Sequence, residues 1–326
     1  MSPRAVVTGG AGFIGSHVCR ALVDAGWSVL AVDNFDPFYD RRLKEQGLAE
    51  LRARDGFALL EADIRRPETM LGACDGADLL VHLAARAGVR PSIEDPLTYA
   101  SVNVDGTVSA LEACRRAGVR RVIFGSSSSV YGDDTPVPFR EDAPASTPAS
   151  PYAATKRAGE LRCATYARRF GLRIAMLRFF TVYGPRQRPD LAIHRFTRLL
   201  SAGHPVQQFG DGSSERDYTH VDDIVQGVLG AVRWTEDAAS ACEAFNLGES
   251  ATVRLDRLIA LIAAALGTTP RIERHPAQPG DVRRTCADVG RARRVLGYAP
   301  KTPIEVGIPQ FVSWYRTHGH EPIAAA

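Results

Sequence analysis

Four glycines behind the first apolar run constrain the fold most: Arg4 to Thr8 (RAVVT) is β-branched and short, and Gly9, Gly10, Gly12 and Gly15 follow it directly. Strand, tight turn and helix are predicted in that order, because Phe13 to Ala25 carries helical spacing. A G-x-x-G-x-x-G run lets the backbone turn sharply and approach a pyrophosphate without Cβ interference, with the helix N-terminus facing the anion. Ser28 to Asp33 (SVLAVD) reads as a second strand ending in an acid, which strengthens the motif. Asp33 stands at the distance expected of a carboxylate that binds the adenine ribose hydroxyls. No arginine follows at once to receive a 2′-phosphate, which favours NAD over NADP.

Strands and helices go on alternating. After a loop from Asn34 to Asp40 and a charged helix near Arg41 to Arg54, Phe57 to Asp63 gives a third strand. Asp63 at its end is suited either to the adenine amine or to capping a helix at Pro67. Asp78 to Ala85 (DLLVHLAA) is almost wholly apolar, as a strand covered on both faces would be, and its small carboxyl end leaves room for a dinucleotide. His82 reads as a packed strand residue rather than a catalyst. Leu97 to Ala117 is a helix closed by Gly118, Arg121 to Ser127 a strand, and Leu172 to Phe180 another. The fold class expected is α/β, a doubly wound, Rossmann-like parallel sheet with helices on both faces.

Beyond Thr181 the rhythm breaks into turns and helices: Asp190 to Ala202, Asp222 to Trp234, Leu255 to Leu266 and Pro303 to Gly319, with a short strand at Ala244 to Gly248 and a turn at Gln278 to Asp281. A chain of 326 residues exceeds what one core comfortably serves, so two lobes are expected. We divide them as 1–178 with 217–250 for the dinucleotide and 179–216 with 251–326 as a smaller, interleaved α/β substrate-binding lobe. Forty basic against thirty-seven acidic side chains are interspersed, which gives no reason to invoke nucleic acid or a membrane surface. Six cysteines stand far apart with no C-x-x-C, which fits neither zinc nor a disulfide framework and suits a reducing cytoplasm. His220, Asp222 and Asp223 read as helix-start residues rather than a metal site, since no second cluster completes a ligand set. No signal peptide or membrane-spanning run is expected.

Chemistry is expected at Ser150-Pro151-Tyr152-Ala153-Ala154-Thr155-Lys156. Ser150 suits an N-cap and Pro151 the first helical position, so a helix should start here and run to about Phe170. Tyr152 and Lys156 then share one face, and an ammonium beside a phenol favours the phenolate. The alternative is a surface Tyr and Lys on an amphipathic helix. The serines from Ser126 to Ser129 either form a polar loop or present a hydroxyl towards Tyr152.

Gly9 to Gly15 (GGAGFIG), His82 to Ala85 (HLAA), Ser126 to Gly132 (SSSSVYG) and Tyr152-x-x-x-Lys156 together resemble the extended short-chain dehydrogenases/reductases, in their nucleotide-sugar epimerase/dehydratase branch. Asp33 to Asp40 (DNFDPFYD), Arg86 to Arg90 (RAGVR) and Phe179 to Pro185 (FFTVYGP) are most similar to the UDP-glucuronate 4-epimerases. That resemblance implies a Ser127, Tyr152, Lys156 triad, and NAD held by Gly9, Gly12, Phe13, Ile14, Gly15, Asp33, Asn34, Asp63, Ile64, Leu83, Ala84, Ala85, Tyr152 and Lys156. It implies a UDP-sugar held by Arg90, Ser127, Ser128, Thr181, Arg188, Arg216 and Arg283. A homodimer through the helices near Leu97 to Ala117 and Tyr152 to Phe170 is implied as well. Dehydratases of the branch carry an Asp-Glu pair where this chain has serines, which speaks against a 4,6-dehydratase.

The activity this resemblance implies is C4 epimerisation of a UDP-hexuronic acid through a 4-ketose, with Tyr152 as the base and Arg216 and Arg283 on the phosphates; surface ion pairing is the other use for either arginine. A 4-keto uronate is a β-keto acid prone to lose carbon dioxide, so a clamp on its carboxylate is expected at Arg188, Thr181 and the serine cluster. The alternatives are a UDP-glucose/galactose 4-epimerase, a UDP-glucuronate decarboxylase and a non-catalytic NAD-binding regulator.

Overall fold

The computed structural model describes residues 2–237, 241–276 and 283–318. Its strands are β1 (Arg4–Thr8), β2 (Ser28–Asp33), β3 (Phe57–Glu61), β4 (Leu79–His82), β5 (Arg121–Ser127), β6 (Arg173–Phe179), β7 (Thr181–Tyr183), β8 (Val206–Phe209), β9 (Glu215–Arg216), β10 (Tyr218–His220), β11 (Cys242–Leu247), β12 (Val253–Arg254) and β13 (Ile272–His275). Seven form one sheet in the order β3-β2-β1-β4-β5-β6-β11, every pair parallel. The chain winds outward from β1 in both directions, so a crevice opens at the carboxyl ends of β1 and β4.

The near-continuous apolar strands follow from burial on both faces. Ala5 and Val7 of β1, Leu79 and Val81 of β4, and Ile123 of β5 enter one core, against the helices Phe13–Asp24 and Val221–Asp237. Val6, Leu80, Val122 and Phe124 enter the other, against Pro67–Cys74, Gly106–Ala117 and Pro151–Phe170. A two-residue side-chain period feeds both cores from the same strands. A third core joins Ile193, Phe196, Leu258, Ile262, Ile308 and Phe311 of the helices Ala192–Ser201, Leu255–Leu266 and Ile304–His318. All six cysteines are free, and no helix among the described residues is long and apolar enough to cross a membrane.

Several local expectations need correction. The helix read from Leu97 to Ala117 is three pieces: Pro96–Ala100, a wide π turn Ser101–Asp105, and Gly106–Ala117 closed by Gly118 at φ 78°. The strand read from Asp78 to Ala85 stops at His82, where the backbone leaves the sheet to form the crevice wall. Asp223 does not serve its own helix start; its oxygens accept Lys301 N at 2.9 Å and Thr302 N at 3.0 Å. The short strands β7 to β10 leave no mark in the sequence, because two to four residues show no periodicity. The turn at Gln278 to Asp281 lies outside the described residues.

Candidate active site

The glycine run makes a floor that no side chain could share. Gly9 adopts φ +70°, and a Cβ on Gly15 would stand 2.0 Å from the Gly9 carbonyl oxygen, so helix and turn meet backbone to backbone. Asp33, buried at the end of β2, accepts Ala11 N at 3.1 Å and Phe35 N at 2.8 Å, which ties the turn to the neighbouring strand. Every residue expected to contact the dinucleotide, from Gly9 through Asp33, Asn34, Asp63 and Ile64 to Leu83, Ala84 and Ala85, lines one cleft of about 220 Å³ at this crevice. Asp63 is not the cap at Pro67: it accepts Arg65 N at 2.8 Å and the guanidinium of Arg65, and it faces the cleft.

Tyr152, Lys156 and Arg188 line the same cleft. Ser150 caps their helix by accepting Ala153 N at 3.1 Å, with Pro151 at the first helical position and Gly171 closing the far end at φ 69°. Lys156 is buried and donates to Gly125 O at 2.7 Å. Among the described residues it has no second hydrogen-bond partner. Burial pushes its pKa down to about 8, against the pull of Cys163 and Glu160. Burial likewise raises the Tyr152 phenol, while the Ser127 hydroxyl and the Arg188 guanidinium draw it back. Arg188 is thus a second cation acting on the phenol, one that the helical spacing of Tyr152 and Lys156 does not announce. His82 is a packed residue: its ring nitrogens meet Thr8 Oγ1 at 2.7 Å and Thr107 Oγ1 at 3.1 Å, and burial takes its pKa down to about 3.

Ser127 ends β5, its Oγ accepting from Ser129 N at 3.2 Å, and Ser128 opens the tight turn that follows. Thr181 opens β7 and donates its N–H to Asp217 O at 3.1 Å. Ser127, Ser128 and Thr181 stand outside the cleft lining, as do Arg90, Arg216 and Arg283. Arg90 is exposed over the Phe209 ring at 5.6 Å, Arg216 lies in β9, and the carbonyl of exposed Arg283 accepts Glu215 N at 3.0 Å.

Among the cleft residues to which the sequence assigns no role are Lys44, Asp36, Phe38 and Arg86, the last three known only as parts of the motifs Asp33 to Asp40 and Arg86 to Arg90. Lys44 is buried, 3.5 Å from Asp33. A signal for it existed, since Lys44, Leu48 and Leu51 share the buried face of the helix Arg41–Arg52. The other three depend on a contact between distant loops. Behind the helix, Glu160 accepts Ser126 Oγ at 2.7 Å and Arg178 Nε at 2.8 Å, a buried pair that joins it to β5 and β6.

A glycine floor, a strand-end carboxylate, and a half-buried tyrosine one helical turn from a buried lysine, all in one switch-point cleft, define a dinucleotide-dependent enzyme of the hydroxyl-oxidising kind. The family model described as the NAD dependent epimerase/dehydratase family matches residues 5–248, and the chain belongs to that family as an NAD-dependent epimerase. It is 37% identical to a UDP-glucuronate 4-epimerase of Thermodesulfobacterium geofontis over 95% of each chain. It superposes on a crystal structure of UDP-glucuronic acid 4-epimerase from Bacillus cereus, in complex with UDP-glucuronic acid and NAD, with a TM-score of 0.89 at 32% identity, covering 96% of this chain and 99% of that one. A UDP-glucose 4-epimerase with UDP-glucose from Thermotoga maritima gives a TM-score of 0.87 at 32% identity, covering 96% and 99%.

Proposed function

We propose that this epimerase interconverts UDP-glucuronate and UDP-galacturonate at C4. The observation that carries the acidic substrate is Arg188, a guanidinium in the cleft that holds Tyr152, fixed by Asp190 through Nε and Nη2 at 2.9 and 2.7 Å so that Nη1 stays available to a substrate carboxylate. Gly9, Gly12 and Gly15 would hold the NAD pyrophosphate, Asp33 the adenine ribose and Lys156 the nicotinamide ribose. When bound, NAD supplies the acceptor for the C4 hydride, its return to the opposite face and a positive charge beside the phenol. Tyr152 takes the proton of the C4 hydroxyl and gives it back, and Ser127 hydrogen-bonds the C4 oxygen. Arg188, with Thr181 and Ser128, restrains the sugar carboxylate away from the alignment that expels carbon dioxide. Arg90, Arg216 and Arg283 would hold the UDP, whose phosphates suit paired guanidinium donors.

On this reading, residues 179–216 and 251–326 form the sugar lobe, and 1–178 with 217–250 the dinucleotide lobe. A homodimer is supported by three exposed apolar side chains, Ile93, Leu97 and Leu161, on the helices Val89–Glu94, Pro96–Ala100 and Pro151–Phe170. The likeness to a UDP-glucose 4-epimerase favours a second reading, a neutral hexose substrate. NMR of purified protein with UDP-glucuronate and no added reductant tests the first. UDP-galacturonate is the expected product; a UDP-pentose would make the chain a decarboxylase. Turnover of UDP-glucose alone would establish the second reading.

A further inference from the structure

We propose that Asp36 and Arg86 form a latch at the dinucleotide cleft that slows cofactor release, both within and between turnovers. The inference goes beyond the sugar assignment and holds for either substrate. Asp36 belongs to the loop leaving β2, and Arg86 to the loop leaving β4, so the two stand on opposite sides of β1, whose glycine turn floors the cleft. Arg86 Nη2 reaches Asp36 Oδ1 at 3.1 Å and Oδ2 at 3.3 Å, with Nε at 3.4 Å from Oδ2. Both side chains line the cleft.

Each end of this bond is anchored, which makes it a strap rather than a meeting of two loose side chains. Asp36 N donates to Asn34 Oδ1 at 3.1 Å, its Oδ1 accepts Phe38 N at 3.0 Å, and its carbonyl accepts Lys44 Nζ at 3.2 Å. Arg86 N donates to Asn103 Oδ1 at 2.8 Å, and Asn103 Nδ2 donates to Arg86 O and to Thr155 Oγ1, both at 2.9 Å. Thr155 stands between Tyr152 and Lys156 on one helix, so the strap ends on the element that carries the chemistry. Phe38 lies 5.7 Å from the Arg86 guanidinium and 5.4 Å from that of Arg188, which connects the latch to the sugar side of the cleft.

The chemistry gives such a strap its use. An epimerase must return the hydride it removed, and a reduced cofactor that escapes midway leaves an oxidised sugar with nothing to reduce it. The test is the release rate of NAD from loaded holoenzyme, followed by exchange with isotopically labelled NAD at low salt. Asp36→Asn and Arg86→Gln should each release NAD roughly three- to fivefold faster, the scale of a partly exposed ion pair. The double variant should be no faster than either single one, because the two remove one interaction. Raising the salt should speed the parent more than the double variant, since screening weakens only an intact pair. Asp95→Asn should match the parent, because Asp95 reaches Arg86 only at 3.7 Å. Single variants that release at the parent's rate, additive singles, equal salt effects, or an Asp95→Asn protein as leaky as Asp36→Asn would each overturn the latch.

Discussion

Asp190 grips Arg188 in a two-pronged fork, Nε to Oδ1 at 2.9 Å and Nη2 to Oδ2 at 2.7 Å, and Arg188 lines the cleft that holds Tyr152. The fork fixes the plane of the guanidinium and leaves Nη1, which has no hydrogen-bond partner among the described residues, for a second carboxylate; the charge also draws the Tyr152 phenol downward. Arg188→Ala should weaken UDP-glucuronate about 10- to 100-fold, the scale of ~1.5–3 kcal/mol for a hydrogen bond to a charged group. The phenol, losing a cation, should rise, so the acid limb of the kcat/KM profile moves to higher pH. Isothermal titration and a pH series check both. Unchanged affinity and an unmoved limb would take Arg188 out of the site.

Lys156 sets the alkaline side. Its ammonium is depressed to about 8 by burial, so the charged fraction falls as pH climbs through that value. If the charge is needed, kcat should decline above pH 8. Lys156→Met should lose roughly 10²-fold or more in kcat and show no such limb. Rates from pH 6 to 10 distinguish this from a lysine that only fills space, whose replacement would keep the parent's profile.

These effects divide what could be read in the chain from what could not. Ser150, Pro151 and Gly118 act on their nearest neighbours, and local steric and hydrogen-bonding rules locate the helix ends they mark. The apolar runs of β1 and β4 announced a sheet covered on both faces. The grip of Asp190 on Arg188 is local in sequence, yet nothing marks it as facing a cleft. Asp36 with Arg86, and Asn103 with Thr155, join residues about fifty positions apart, and no periodicity encodes such a meeting. Ser101–Asp105 widens into a π turn where spacing alone predicts an uninterrupted helix, and that turn carries Asn103.

Gly15→Ala probes the floor. A methyl 2.0 Å from the Gly9 carbonyl oxygen meets backbone that cannot yield without parting helix from strand. We expect a loss of about 1–3 kcal/mol in stability and a protein purified without NAD. Denaturant melts and the absorbance ratio at 260 and 280 nm read both. Parent-like stability with full cofactor content would mean that the turn is not closed in this way.

The exposed apolar trio gives a prediction about assembly. Leu97 is 82% exposed, Ile93 63% and Leu161 56%, an expensive surface to leave in water. A Leu97→Asp, Leu161→Asp protein should elute as a monomer by light scattering where the parent elutes as a dimer. A parent that is itself monomeric at micromolar concentration would refute the pairing.

Glu249 makes stability depend on pH. Its Oε2 is buried without a hydrogen-bond partner among the described residues, and burial, with Asp223 and Asp217 adding to it and Arg293 opposing, carries the pKa from 4.5 up to about 7. A raised carboxyl pKa means that the folded chain keeps a proton the unfolded chain has already released. The stabilisation is therefore complete below about pH 4.5 and lost as pH rises through 7. Asp217 is raised by burial as well, so the parent alone does not isolate the effect. Glu249→Gln does, because a neutral amide cannot charge. The Tm of the variant relative to the parent should increase between pH 5 and about 7 and level off above that. A constant difference across that range would mean that Glu249 is ionised throughout.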